Sequence, residues 1–126
     1  MAKKFATAIN CIDGRVQKPV IEFIRNNFHI DYVDLVTTPG PDKLISEYKD
    51  TQEIQSIKEK VLISFKKHKS NILFLSGHHD CAGNPCSKEN HLRQIQKAAN
   101  NIKYWRINLE IYGLWIDEKW RVAFVE

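Results

Sequence analysis

Residues 5–15 of the chain read FATAINCIDGR, a short apolar run followed directly by a polar segment that carries a cysteine. Such a run is typical of a buried strand in a parallel sheet. Residues 71–85, NILFLSGHHDCAGNP, have the same form, since an apolar run again ends in a polar turn that contains glycine. We expect both runs to be strands whose carboxyl ends present chemically active side chains.

Helical patterns separate the predicted strands. Pro19 suits the first turn of a helix, and the apolar residues that follow it have three- and four-residue spacing: Val20, Phe23, Ile24 and Phe28. Asp50 followed by Glu53 resembles a capping box at the start of a second helix. The second helix presents Ile54, Ile57, Val61 and Phe65 on one face. The third helix presents Leu92, Ile95, Ala99 and Ile102.

The alternation of strands and helices predicts an α/β fold. Residues 32–37 form another apolar strand pattern, and residues 107–115 and 120–125 read as a final hairpin. Alternating strands and helices favour a small, mostly parallel sheet with helices on both faces, to which the hairpin adds an antiparallel edge. No linker or repeat interrupts the pattern, so we expect one domain over residues 1–126.

Composition and charge exclude several classes of function. The 126 residues are 43% hydrophobic and 27% charged, and no run approaches the roughly 20 apolar residues that a membrane span requires. The N-terminus lacks the features of a signal peptide, which predicts a cytoplasmic protein. The net charge is +4, but the lysines are scattered and the densest cluster, residues 66–69, lies at a predicted helix end. We therefore expect no nucleic-acid partner and no membrane partner.

The cysteines point to a metal site. Three cysteines cannot all pair within one chain, and in a reducing cytoplasm metal binding or catalysis is their more common use. His78 and Cys81 lie three residues apart in one turn, whereas Cys11 lies about seventy residues earlier, at the end of another strand. Two cysteines and one histidine with an open fourth position are a ligand set of catalytic zinc. The spacing therefore favours a catalytic zinc site over a zinc finger.

Two motifs of the chain, and the order in which they occur, resemble those of the β-carbonic anhydrase family. Cys11-x-Asp13-x-Arg15 follows the first strand, and its two charged residues can form an ion pair. Gly-His78-x-x-Cys81 follows the strand at residues 71–76. Residues 111–117, with the strand at residues 121–125, are similar to the closing hairpin of that family. The resemblance covers roughly the whole chain.

The resemblance implies a fold, a cofactor and a reaction. The sheet order would be 2-1-3-4, with strand 5 as an antiparallel edge. Cys11, His78 and Cys81 would hold one zinc ion per chain, and a zinc-bound hydroxide would convert CO2 reversibly to bicarbonate. Asp13, paired with Arg15, would orient that hydroxide, or would itself bind the metal and switch the site off. The family also implies a homodimer.

The chain departs from the family pattern at three places. Gly14 stands where the family commonly has serine, and residues 37–40 read TTPG where the family often has Arg-Asn-Ala-Gly. The first predicted strand begins almost at Met1, so we expect no counterpart of the N-terminal helical arm of the family. These departures leave two alternatives open. One is a non-catalytic zinc protein of the same fold, and the other is a hydrolase of carbon disulfide or carbonyl sulfide.

Several residues near the motifs have competing interpretations. His79 could replace His78 as a ligand, although the family pattern fits His78, and it could instead support the site from outside. Cys86 could be a fourth ligand or a redox partner, but a packed free thiol is the interpretation we favour. Asp80 is assigned no catalytic role. We interpret four aromatic residues as part of the core or of a subunit interface: Tyr104, Trp105, Trp115 and Trp120.

Overall fold

A computed structural model describes residues 2–47 and 49–126. The strands in this part of the chain are β1 (Phe5–Asn10), β2 (Tyr32–Thr37), β3 (Ile72–His78), β4 (Glu110–Ile116) and β5 (Val122–Val125). The helices are α1 (Gly14–Phe28), α2 (Pro41–Ser46), α3 (Gln52–His68) and α4 (Lys88–Ile102), and α4 continues into a 3-10 turn at Lys103–Trp105. Among these helices, none is both long enough and apolar enough to cross a membrane.

The five strands form one sheet in the order β2-β1-β3-β4-β5. The first four strands of this order run parallel, and β5 runs antiparallel to β4. The predicted α/β fold and its strand order are therefore confirmed. Strands β1 and β3 are neighbours, with Thr7 opposite Leu73 and Ile9 opposite Leu75. Since the chain order reverses between them, their carboxyl ends border the position at which ligands bind in open parallel sheets.

Each face of the sheet has its own apolar core. On one face, α1 packs against the strands through Val16, Val20 and Ile24. The other face packs against α2, α3 and α4 through Ile45, Ile54, Ile57, Val61, Ala98 and Ile102. Alternate strand residues point to opposite faces, so buried parallel strands are apolar on both sides. The seven residues of β3 are all buried, as this arrangement requires.

Two helix starts differ from the prediction. Helix α1 begins at Gly14, because the Asp13 side chain accepts a hydrogen bond from the Arg15 backbone N–H at 2.9 Å and caps the helix. Pro19 therefore lies inside the helix and not in its first turn. Helix α3 is capped by Thr51, whose hydroxyl accepts from the Ile54 N–H at 3.2 Å. The prediction of Asp50 as the cap was wrong.

The segment after β2 contains a helix that the sequence pattern did not predict. Helix α2 is only six residues long and begins at Pro41, directly after Gly40, which has a positive φ of 55°. A glycine suits this left-handed conformation because it lacks a Cβ atom. Proline suits the first helical position because its missing N–H would have no partner there. Two prolines and a glycine in four residues therefore start a helix here and do not leave an irregular loop.

The predicted closing hairpin is confirmed, with shorter strands. Its strands β4 and β5 begin at Glu110 and Val122 and not at residues 107 and 120. Asp117 stabilises the connecting turn by accepting from the backbone N–H groups of Lys119 and Arg121, both at 2.9 Å. Trp120 therefore belongs to the turn, with a positive φ of 60° that is uncommon for a bulky residue.

Candidate metal centre

The ends of β1 and β3 bring Cys11, His78 and Cys81 together. Cys11 directly follows β1, His78 is the last residue of β3, and Cys81 lies in the turn that follows. The sulfur and nitrogen atoms that could bind a metal all lie within 4.8 Å of one another, and all three side chains are buried. A search of residues 2–47 and 49–126 for histidine, cysteine and acidic side chains that could share one metal ion finds these three residues.

The two sulfur atoms have the separation that zinc requires. The Sγ atoms of Cys11 and Cys81 are 3.8 Å apart. Two thiolates bound tetrahedrally to one zinc ion, each at about 2.3 Å, would lie about 3.8 Å apart. The thiol pair therefore fits a shared zinc ion with little movement.

His78 offers the free lone pair that a third ligand needs. Its Nδ1 atom lies 2.7 Å from the carbonyl oxygen of His79, which can only accept, so Nδ1 carries the proton. The Nε2 atom of neutral His78 is then unprotonated. This buried atom has no hydrogen-bond partner among the residues that the structure describes. Because buried polar atoms are almost always paired, the orphaned nitrogen beside two thiols indicates a place for a metal ion.

The buried surroundings set the protonation of the metal-free cluster. Burial, together with the neighbouring Cys11 thiol, raises the pKa of Cys81 to about 11. Burial also lowers the pKa of His78, which keeps the imidazole neutral. Zinc binds thiolate and neutral imidazole, so binding would release a proton from the Cys81 thiol and require none from His78.

Asp13 borders the cluster and is fixed by Arg15. One carboxylate oxygen of Asp13 lies 4.0 Å from His78 Nε2. The Arg15 side chain donates to both Asp13 oxygens, from Nη2 at 2.7 Å and from Nε at 3.1 and 3.2 Å. These hydrogen bonds lower the pKa of Asp13 to about 2, and the same contacts raise the pKa of Arg15. The predicted ion pair is therefore present, with Asp13 held as a carboxylate next to the cluster of Cys11, His78 and Cys81.

Two further residues hold Arg15, and the sequence did not indicate either role. The indole ring of Trp120 lies 4.5 Å from the guanidinium carbon, in a cation–π contact. Asp80 accepts from Arg15 with its carboxylate at 3.3 Å and with its backbone carbonyl at 3.2 Å. Arg15 thus links the first motif to the turn that carries Cys81 and to the closing hairpin.

The other candidates from the sequence lie outside the cluster. The His79 side chain is exposed, and its carbonyl oxygen orients His78. Cys86 is half-buried, with its sulfur 3.8 Å from Oε1 of Gln94. Burial raises the pKa of the Cys86 thiol. Cys86 therefore has the surroundings of a packed thiol, as we predicted from the sequence.

Comparison with known proteins identifies the family. A family model described as "Putative carbonic anhydrase" matches residues 1–126. The chain belongs to this carbonic anhydrase family. A search of curated proteins by sequence finds no match.

Solved structures give the same result for the fold of this carbonic anhydrase family member. The β-carbonic anhydrase isoform I of Trichomonas vaginalis is similar at a TM-score of 0.66 and 15% identity, over 98% of this chain and 84% of that one. A tetrameric β-carbonic anhydrase of Sordaria macrospora matches at 0.53 and 16%, over 99% and 81%. The apo form of a carbon disulfide hydrolase matches at 0.55 and 10%, over 100% and 81%. The resemblance of this chain to the β-carbonic anhydrase family is therefore confirmed.

Proposed function

We propose that this protein is a zinc-dependent carbonic anhydrase that reversibly hydrates CO2 to bicarbonate. The observation that carries the proposal is the buried group of Cys11, His78 and Cys81, with an orphaned Nε2 atom next to a carboxylate fixed by arginine. Three protein ligands leave the fourth position of a tetrahedral zinc ion open for water, as catalysis requires. Membership of the carbonic anhydrase family supports this class of reaction.

Each residue would have a distinct role. Cys11, His78 and Cys81 would hold one zinc ion, which when bound lowers the pKa of a coordinated water to about 7. Asp13 has a pKa of about 2, so at neutral pH its carboxylate is ionised and can accept hydrogen bonds but not donate them. It would orient the nucleophile by accepting the hydrogen bond of that group. Arg15 would keep the Asp13 carboxylate turned away from direct metal binding.

A homodimer is part of the proposal. A single helix, α1, covers one face of the sheet, and aromatic side chains beside it remain partly exposed: Phe23, Tyr112 and Phe124. Phe124 is 47% exposed on the edge strand β5. Exposed apolar patches on small domains commonly mark contacts between subunits. Sedimentation velocity should give a dimer or a larger assembly, and Phe124→Asp should shift it toward the monomer; a wild-type monomer would contradict the proposal.

The test of the enzyme is stopped-flow CO2 hydration by protein with one confirmed zinc ion per chain. We expect Asp13→Ala to keep its zinc and to lose about 100-fold in kcat, within the range of about 100- to 10,000-fold for a positioned proton-transfer group. Cys11→Ser should lose zinc and activity together. Zinc-loaded wild-type protein that hydrates CO2 no faster than buffer would reject carbonic anhydrase activity, and would favour a non-catalytic zinc protein or a hydrolase of another small substrate.

Hydrolysis of carbon disulfide is the second candidate. The chain matches the fold of a carbon disulfide hydrolase over its full length, and its TTPG segment at residues 37–40 contacts the metal-binding turn at Gly83. A segment that differs from the family pattern at this position would change the surroundings of a bound substrate. Release of sulfide from carbon disulfide by the zinc-loaded protein, with no CO2 hydration, would select this candidate. Hydration without sulfide release would exclude it.

A further inference from the structure

A second cluster of buried polar side chains lies beneath the metal-binding turn. Asp42 of α2, His91 of α4 and Asn84 of the turn after Cys81 are only 1%, 2% and 3% exposed. The Asp42 carboxylate lies 2.6 Å from His91 Nδ1 and 3.0 Å from Asn84 Nδ2. Buried carboxylates are costly unless hydrogen bonds satisfy them, so a cluster of this kind needs an explanation.

The hydrogen bonds define the donor and the acceptor at each atom. Asp42 accepts from His91 Nδ1–H, from Asn84 Nδ2–H and from the backbone N–H of Lys43 at 3.0 Å. The second N–H of the Asn84 amide donates to Oε1 of Gln94 at 2.6 Å. The carboxylate therefore connects α2, α4 and the turn, and each of these three N–H groups donates a hydrogen bond to it.

Asp42 also contacts the strand end that carries His78. A Cβ atom added to Gly77 would lie 2.4 Å from Oδ2 of Asp42, so the carboxylate packs directly against the residue before His78. On the other side, the Asn84 backbone N–H donates to the carbonyl of Cys81 at 3.2 Å and closes the turn. Asp42 thus supports the segments that carry two of the three candidate ligands.

We propose that Asp42, held by His91, is a positioning residue that fixes His78 and Cys81 for zinc through Gly77 and Asn84. This inference rests on the zinc site of the proposed function and adds the residues that hold its geometry. Residues that orient metal ligands typically account for about 10- to 100-fold in metal affinity. Asp42 acts through neighbouring residues and not on a ligand atom, so we expect an effect at the lower end of that range.

Asp42→Asn is the test variant. It keeps the shape of the side chain but turns one of the two acceptor oxygens into a donor, which then faces the N–H group of either His91 or Asn84. Zinc affinity should fall about 10-fold, measured by competition with a chromophoric chelator at neutral pH. Asp34→Asn is the matched control, because Asp34 also accepts from a histidine, His68 at 2.6 Å, but lies in β2 away from the cluster. Its zinc affinity should stay within about twofold of the wild type.

Replacement of zinc by Co2+ gives a readout that general destabilisation does not change. In folded Asp42→Asn protein, the visible cobalt bands should shift in position and intensity, whereas Asp34→Asn should keep the wild-type spectrum. If Asp42→Asn does not fold, Asn84→Ala is tested in its place. This variant removes the hydrogen bond between the turn and Asp42 and keeps the Asp42–His91 pair. We expect the same loss of affinity and the same spectral change.

Wild-type zinc affinity and an unchanged cobalt spectrum in folded Asp42→Asn, or in folded Asn84→Ala where Asp42→Asn does not fold, would overturn the positioning role. Neither readout needs turnover, so the two proposals fail separately. Wild-type protein that binds zinc without hydrating CO2 would reject the proposed activity and leave the positioning role of Asp42 standing. CO2 hydration combined with wild-type zinc binding in the variant would reject the role of Asp42 alone.

Discussion

Gly77→Ala should be one of the most damaging single-methyl changes in this protein. The new Cβ atom would lie 2.4 Å from Oδ2 of Asp42 and 3.0 Å from Cδ1 of Ile95. An isolated aspartate would rotate away from such a contact. Asp42 cannot do so freely, because its carboxylate is held by His91 at 2.6 Å and by Asn84 at 3.0 Å.

The expected loss of stability follows from the close contacts of the added Cβ atom and from the hydrogen bonds that hold Asp42. Overpacking a filled interior costs about 1 to 3 kcal/mol. If the carboxylate moves instead, the buried N–H groups of His91 and Asn84 lose their acceptor, at about 1 to 3 kcal/mol for each unsatisfied group. We therefore expect Gly77→Ala to lower the free energy of unfolding by about 2 to 5 kcal/mol. This is a large part of the roughly 5 to 15 kcal/mol that stabilises a typical domain.

Urea unfolding of the metal-free protein, followed by circular dichroism, measures this loss without a contribution from zinc binding. With m values of about 1 to 3 kcal/mol/M, the midpoint should fall by about 0.7 M or more. Gly14→Ala is the matched control, because Gly14 is the first residue of helix α1 and an added Cβ there meets no atom of the described part of the chain within 4 Å. It should leave stability unchanged or raise it by up to about 1 kcal/mol. A Gly77→Ala midpoint within about 0.2 M of the wild type would refute the reasoning.

Three further predictions concern the residues around the cluster. Arg15→Met should return the pKa of Asp13 from about 2 toward its ordinary value of 3.8, measured by carboxyl NMR titration. Because the wild-type pKa is depressed, the stability that this pair contributes is present above about pH 4 and is lost as the pH falls toward 2; the variant should lack this loss. In a double-mutant cycle, Trp120→Leu and Arg15→Met should couple by about 0.5 to 1 kcal/mol, since Arg15 is 46% exposed, and additive effects would contradict the cation–π contact. Cys86→Ser should still bind one zinc ion per chain with wild-type affinity, and loss of zinc would make Cys86 a ligand.

The strands, and the turns that carry Cys11, His78 and Cys81, were predictable because their signals are local. Strands β1 and β3 are short apolar runs that stop at polar turns, and the helical spacing between strands predicts parallel pairing. Cys11 and His78 lie at the ends of β1 and β3, and the pairing of these strands brings them together. The resemblance to the family implied that strand order, whereas the local patterns left it open. The same local reasoning placed Cys81 in the turn that follows His78.

The contacts that support the cluster were not predictable, because they join residues far apart in the chain. Asp42 meets Asn84 and His91 across 42 and 49 residues, and no local pattern links them. One signal was present in α4. His91 lies four residues before Ile95 on the buried stripe of that helix, whereas the predicted stripe began at the partly exposed Leu92. A histidine at a core position of α4 was therefore a signal of the buried polar cluster. A search for apolar periodicity alone does not detect it.

Helix starts depended on single side-chain hydrogen bonds, which residue patterns predict poorly. Asp13 caps α1 with the same carboxylate that binds Arg15, so a motif residue assigned to chemistry also starts a helix. The choice between Asp50 and Thr51 as the cap of α3 shifts the start by one residue and leaves the buried face unchanged. Such errors do not alter the fold, because the apolar face fixes how the helix packs.

CO2 hydration, titrated with zinc, tests the central proposal most directly. Metal-free protein would receive increasing equivalents of zinc, and the hydration rate would be recorded by stopped flow at mildly alkaline pH. We predict a rate well above buffer that rises in proportion to zinc and reaches a plateau at one equivalent per chain. A rate that stays at the buffer level when one equivalent is bound would contradict the assignment of this protein as a carbonic anhydrase.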